Sequence, residues 1–432
     1  MKRILFAVGL LSWTFFASAQ SGTDSPYSQF GLGTLAEQNS GFNRGMNGLG
    51  IGFREHNQVN FTNPASYSAI DSLTFIFDVG MSGQLTNFKE GGKKLNAKTA
   101  NFEYAVAGFR VARHVGVSFG ILPFTNVGYN YSTTDFIDQT KTSSYTNTYT
   151  GSGGIRQAYL GFGWQPFKGV AFGANGGYLW GGYDRSMVNT YNSESTANTL
   201  SKYYTASVRN YKLDVGVQFT ARLSKKDELT LGVTYGYGHK IGGEPSCQVI
   251  STNKQTSVAD TTSYPLHGKL DLEIPTTYGV GIALNHNNSL KIGADYQLQQ
   301  WGSVKMPEYN TTNGVVDYSL SSNLLKDRHK VTLGFDLCPV ENGRKFFSRL
   351  HYRAGVSYAT PYIIINGHDG PKEMSASLGF GMPIANRNSL STLNISAQWV
   401  RNDSKMFVTE NVFRINIGLT FNERWFMKWK VE

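Results

Sequence analysis

From about residue 72 onward, apolar side chains return on every second position, and small or polar residues fill the alternate ones. Tyr278, Val280, Ile282 and Leu284 share one parity against Gly279, Gly281 and Ala283. Leu290, Ile292, Ala294, Tyr296 and Leu298 likewise oppose Lys291, Gly293, Asp295, Gln297 and Gln299. Near the end Phe413, Ile415, Ile417, Leu419 and Phe421 oppose Arg414, Asn416, Gly418 and Thr420. The pattern predicts about fourteen strands, at 72–85, 99–111, 115–125, 155–165, 170–183, 208–222, 228–241, 276–284, 290–301, 329–337, 347–360, 373–384, 389–400 and 411–421. Their connections alternate between roughly 10–34 residues and roughly 3–9 residues, the sorting of an outer-membrane barrel with long outer loops and short periplasmic turns. A soluble sandwich has no reason to sort its loops by end. Trp164, Trp301, Trp399 and Tyr358 fall near strand ends, where interfacial aromatic girdles form.

Composition narrows the class. Charged residues are 16% and aromatic residues 13% of the 432, with 48 glycines, which excludes a highly charged disordered chain and a coiled coil. After residue 20 no apolar run reaches the ~18 residues of a membrane helix. Lys2 and Arg3, the apolar run Ile4–Phe16 and the small residues Ala17-Ser18-Ala19 predict an export signal over 1–19, with Gln20 as the first mature residue. No cysteine stands there to carry a lipid. Losing Lys2 and Arg3 lowers the formal charge from +10 to +8, an excess suited to an anionic lipid surface or an acidic partner rather than to nucleic acid in an exported chain. Cys247 and Cys338 are too few for a disulfide framework and are expected on opposite sides of the membrane.

The fold class is therefore all-β, a transmembrane antiparallel barrel over 72–422. An N-terminal plug or hatch at 20–71 precedes it and a periplasmic aromatic and basic tail at 423–432 follows. Fourteen strands enclose more space than side chains alone fill. The segment 20–71, rich in Gly, Asn and Ser, either folds into the lumen as a plug or hangs as a periplasmic tail.

Gly48-Leu49-Gly50-Ile51-Gly52 followed by Asn60-Phe61-Thr62-Asn63-Pro64-Ala65 resembles the N-terminal hatch of the FadL-type outer-membrane transporters. Pro275, Gly279, Leu290, Asp295 and Trp301 are similar to a strand pair of that family, and Tyr352 to Val356 with Tyr358 and Pro361 agree more loosely. The resemblance implies a plugged fourteen-stranded barrel in a Gram-negative outer membrane, passing hydrophobic small molecules through a side opening. It also implies that Asn63-Pro64-Ala65 presses on a kink in the third strand. Gly120 and Pro123 are the candidate kink, since Gly admits a bulge and Pro removes a ladder donor; the alternative is that Pro123 merely ends the strand.

Phe42, Leu49, Phe53 and Phe61 are candidate contacts for an apolar ligand, or else the plug's own core. Lumen-parity Lys212, Asp214, Lys291, Asp295, Asp336, Arg353 and Arg414 favour ion-pair anchoring of the plug over ligand binding, because an unpaired charge in a narrow lumen is costly. Arg424, Trp425, Phe426, Lys428 and Trp429 form a tail beyond Phe421 that the FadL-type pattern does not account for; it suits the inner leaflet or a partner protein. No cofactor and no catalytic residue is expected: the eight His show no zinc-site spacing, and Gly31-Leu32-Gly33-Thr34-Leu35-Ala36 lacks the strand and helix of a dinucleotide site. Two functions stay open, the first leading and the second its alternative. One is passive uptake of hydrophobic small molecules, with outer-membrane lipid as the receiving phase. The other is a non-transporting barrel that scaffolds an envelope complex for protein secretion or barrel assembly.

Overall fold

A computed structural model describes residues 22–192, 196–264, 271–312, 315–340, 343–386, 389–404 and 406–423. The export signal at 1–19 and the tail residues Arg424, Trp425, Phe426, Lys428 and Trp429 lie outside the described residues. The chain is a closed, fourteen-stranded antiparallel barrel. Its strands are β1 (Phe75–Glu90), β2 (Lys93–Ala112), β3 (Val115–Pro123), β4 (Ser144–Phe167), β5 (Val170–Tyr191), β6 (Thr199–Arg222) and β7 (Asp227–Gly236). They continue as β8 (Thr277–His286), β9 (Leu290–Gln299), β10 (Arg328–Leu337), β11 (His351–Ala359), β12 (Lys372–Asn386), β13 (Ser389–Asp403) and β14 (Thr409–Glu423). Each pairs with its sequence neighbour, and β14 returns to β1 from Phe421 opposite Phe77 to Phe413 opposite Leu85. Closure removes the sheet edges that lipid cannot solvate.

The apolar parity points outward. Val280 and Ile282 are 54% and 42% exposed, Ile415 and Ile417 45% and 50%. Gly279, Gly281 and Ala283 face the lumen and are buried. Such a surface is stable only against lipid, at about 25 cal/mol for each Å² kept from water.

The strands are longer on one side than the periodicity indicates. β4 and β6 run 24 residues and β5 runs 22, where ~9–11 cross a membrane. Much of what reads as long outer loop is strand that rises beyond the membrane. The connection between β1 and β2 is only Gly91-Gly92, both at positive φ, the two-residue hairpin turn that glycine permits. Strands Ser246–Thr252 and Ala259–Tyr264 add to the raised part of β6.

Within residues 22–71, Phe42, Leu49, Ile51, Asn63 and Tyr67 are buried, and Asn63 to Ser68 lie against glycines of the wall. The segment's regular parts are 3-10 helices at Pro26–Gln29 and Pro64–Ala69, a two-residue strand at Thr34–Leu35 and a short helix at Gly41–Gly45.

Candidate functional site

The plug is seated on glycine. Gly116, Gly163, Gly173 and Gly216 are consecutive cross-strand partners on β3, β4, β5 and β6. Together they make a side-chain-free row across four strands. Asn63-Pro64-Ala65 and the turn it starts lie on that row. A Cβ at Gly173 would stand 2.3 Å from the Pro64 carbonyl carbon, and one at Gly116 1.9 Å from the Tyr67 oxygen. Asn63 caps the 3-10 helix by accepting from the Ala65 N–H (3.1 Å), and Pro64 sits where a helix tolerates a missing donor. The other end of the Asn63 amide donates to the carbonyls of Ile51 (3.0 Å) and Val217 (3.3 Å). The glycines were visible in the sequence, but their alignment depends on strand register.

The turn meets the third strand at Gly116, below Gly120 and Pro123. What touches Pro123 is Gln38, whose side-chain amide donates to the Pro123 carbonyl (3.0 Å), while the Ala36 N–H donates to Phe124 (3.0 Å). A Cβ on Gly120 would lie 2.4 Å from the Ala105 carbonyl oxygen of β2, whereas those on the row would meet the plug. Gly120 thus serves close strand packing rather than a bulge.

Pro123 does end β3, and the wall then parts. The chain resumes as an arm, Thr125–Phe136, that pairs with β4 from Val127 opposite Gly153 to Phe136 opposite Ser144. β2 pairs with β3 only as far as Ala105 opposite Ile121. Beyond that, β2 and the arm have no ladder between them among the described residues. The N-terminal segment stands in this gap. Thr34 and Leu35 pair with Asn126 and Thr125 of the arm. The Ser28 hydroxyl both accepts from the Gly128 N–H and donates to the Gly128 carbonyl (3.1 Å each). On the opposite side Asn101 of β2 donates to the Gly22 carbonyl (2.9 Å), and the Thr99 hydroxyl donates to Asp24. Nothing local in the sequence pairs Gly22 with Asn101, so this seal escaped the periodicity reading.

The lumen charges divide. Asp295 accepts from the N–H groups of Gly50 (2.8 Å) and Ile51 (2.9 Å), Lys291 pairs with Glu55 (2.6 Å), and Arg414 lies 3.7 Å from Glu37. These three hold plug groups. Asp336 pairs instead with Arg353 (3.1 Å) and His351 (2.9 Å), and Lys212 with Asp214. The most buried of these plug ion pairs was not among the candidates: Arg44, on the short helix, pairs with Glu103 of β2 at 2.9 Å, and both side chains are at most 9% exposed. Burial pushes the Glu37 carboxyl up, but Arg414, Lys330 and Arg44 outweigh it and Gln398 hydrogen bonds to it, leaving the group at about 2.

Phe42, Leu49 and Phe53 pack with Met46 and Ala283 into a buried plug core. Phe61 packs against Tyr104 and Tyr159 at 5.8 and 6.2 Å between ring centres, and borders the main cavity. That cavity, about 350 Å³, is lined among others by Glu37, Lys212, Asp214, Arg328, Glu373 and Arg414. Its outer end is filled by an apolar cap in which Tyr27 and Leu32 meet Leu179, Trp301, Leu325 and Ile363. Charged groups share the wall of this open space with Phe61, Leu122, Phe124, Ile274, Trp301 and Val400. The two thiols, Cys247 and Cys338, are both buried and free.

A profile of the BamG family matches residues 1–432, the full length of the chain. The chain belongs to the BamG family. Its barrel is also that of the FadL-type proteins, reached at low identity. The solved P. putida toluene transporter TodX aligns at 13% identity over 91% of this chain and 100% of its own, with a TM-score of 0.62. A Pseudomonas aeruginosa FadL homologue gives 11% identity, 91% and 99% coverage and 0.62. The Ralstonia pickettii toluene transporter TbuX gives 14% identity, 90% and 98% coverage and 0.59. At such identities the likeness of this BamG-family chain to these proteins is one of fold. No curated protein matches it.

Proposed function

We propose that this BamG-family barrel acts in the outer membrane as a structural subunit, scaffolding an envelope complex for protein secretion or barrel assembly. The observation that carries the reading is the filled lumen. A plug anchored by buried ion pairs occupies one part, an apolar cap fills the outer end, and the cavity between them has a mixed lining that includes Glu37, Lys212, Asp214, Arg328, Glu373 and Arg414. Pockets for apolar ligands are lined mainly by hydrophobic and aromatic side chains. Here such side chains share the lining with several charged ones, which an apolar ligand would leave without partners. Export by the 1–19 signal and partner binding by the 424–432 tail belong to the same proposal.

A second reading, passive uptake of a hydrophobic compound with lateral exit, is favoured by one feature, the parted wall between β2 and the arm. The toluene transporters of the same fold lend it support. Purification from native membranes in mild detergent separates the two. Stoichiometric protein partners support the scaffold, whereas an apolar molecule bound to a solitary barrel supports uptake. Removal of residues 424–432 from an otherwise inserted barrel is expected to weaken partner retention.

A further inference from the structure

The two sides of the parted wall are protected unequally. β2 carries Lys93, Lys94 and Lys98 along its upper stretch, and lysines on a strand edge deter pairing with another chain. The facing edge of the arm runs Tyr129-Asn130-Tyr131-Ser132-Thr133-Thr134-Asp135-Phe136, with no Lys, Pro or Gly. Tyr129, Tyr131, Thr133, Thr134 and Phe136 are residue types enriched in strands. The Ser28 hydroxyl occupies Gly128, and beyond it no described strand pairs with this edge.

The edge is also held straight from behind. Tyr131 stacks on Tyr149 of β4 at 5.0 Å, and Ser132 and Thr134 hydrogen bond through their hydroxyls to Thr148 and Thr146, 3.1 Å each. A strand so braced loses little conformational freedom when another pairs with it. From Tyr129 to Phe136 the arm offers roughly 26 Å of preformed backbone donors and acceptors at ~3.3 Å per residue. Strand addition supplies affinity through such backbone bonds, and side chains supply selectivity.

We infer that this edge of the arm is a strand-addition site for an extended segment of another outer-membrane polypeptide. The inference deepens the scaffold reading and rests on it. The incoming strand lies on the open side of the wall, and a segment poor in Lys suits it, because Lys93, Lys94 and Lys98 stand across the gap.

The test places a benzophenone amino acid at Asn130 in the full-length protein and irradiates intact membranes. The expected result is a cross-link to one outer-membrane polypeptide, mapped by mass spectrometry to a strand-length segment. Guarding the edge with Asn130→Lys plus Thr134→Lys, and carrying the probe at Ser132 instead, should abolish the cross-link. Resistance to unheated SDS shows that the guarded barrel is folded. No cross-link, one undiminished by the lysines, or one only to a second copy of this chain overturns the inference. Partners that still copurify with the guarded barrel leave the scaffold reading standing while the edge assignment falls. If wild-type protein retains no partner in mild detergent, the scaffold reading itself has failed.

Discussion

The lower wall over β3 to β6 and the upper wall above Pro123 close the same lumen by different physics. Below, four glycines in register let the plug backbone rest directly on the sheet, and every strand has both neighbours. Above, β2 and the arm lose each other, and the segment from Gly22 to Leu35 bridges them with two ladder pairs and a few side-chain hydrogen bonds. A closed wall permits a close-packed plug. A parted wall has to be sealed by the chain itself, or by another chain.

This contrast can be broken at its anchors first. Arg44→Ala leaves Glu103 buried without its partner, and removing one member of a buried pair costs about 3–5 kcal/mol. Hydrogen exchange should show the plug losing protection while the barrel amides keep theirs. Gly173→Val forces a side chain into the Pro64 carbonyl, and overpacking of this kind costs about 1–3 kcal/mol or more. It should expose the plug to protease, whereas the same change above Pro123 should not. Asp295→Asn removes the charge that receives the Gly50 and Ile51 N–H groups, and hydrogen bonds to a charged group contribute about 1.5–3 kcal/mol each, so a loss of that order in denaturant titration is expected.

Two weaker effects sharpen the comparison. The Glu37 carboxyl sits at about 2 in the folded protein, below its ordinary value of 4.5. Its contribution is therefore present above about pH 4.5 and is lost as pH falls through about 2. Glu37→Gln should remove that acid-side loss from a stability-versus-pH profile. Gly83 faces open space, so Gly83→Ala should shift stability by no more than about 0.5 kcal/mol, in contrast to the seated glycines.

The legible parts of this fold are those that touch lipid. Tyr278 to Leu284 and Phe413 to Phe421 show their strands because only apolar side chains are stable on that surface, which imposes a period of two. Above the membrane both faces of β4, β5 and β6 meet water, so Thr, Ser, Tyr and Asn fill both parities and the same strands read as loops. The Asn63-Pro64-Ala65 turn was legible as a motif, but its seat was not, because four glycines from separate stretches align only once register is known. Phe42, Leu49 and Phe53 had the chemistry of a pocket and of a core alike, and packing alone decides between them. Lys291, Asp295 and Arg414 were legible as anchors because a charge on lumen parity needs a partner; Arg44, sitting in the irregular plug, gave no such signal.

On the proposed scaffold function, the protein works with its lumen shut. Thr34 and Asn126 are cross-strand partners, so cysteines at both positions can lock the N-terminal seal to the arm with a disulfide. The decisive measurement is whether the locked protein complements a deletion of its gene. Full complementation in the oxidised state is the result this account predicts. Loss of complementation that a reductant restores would contradict it, and would make opening of the wall part of the function.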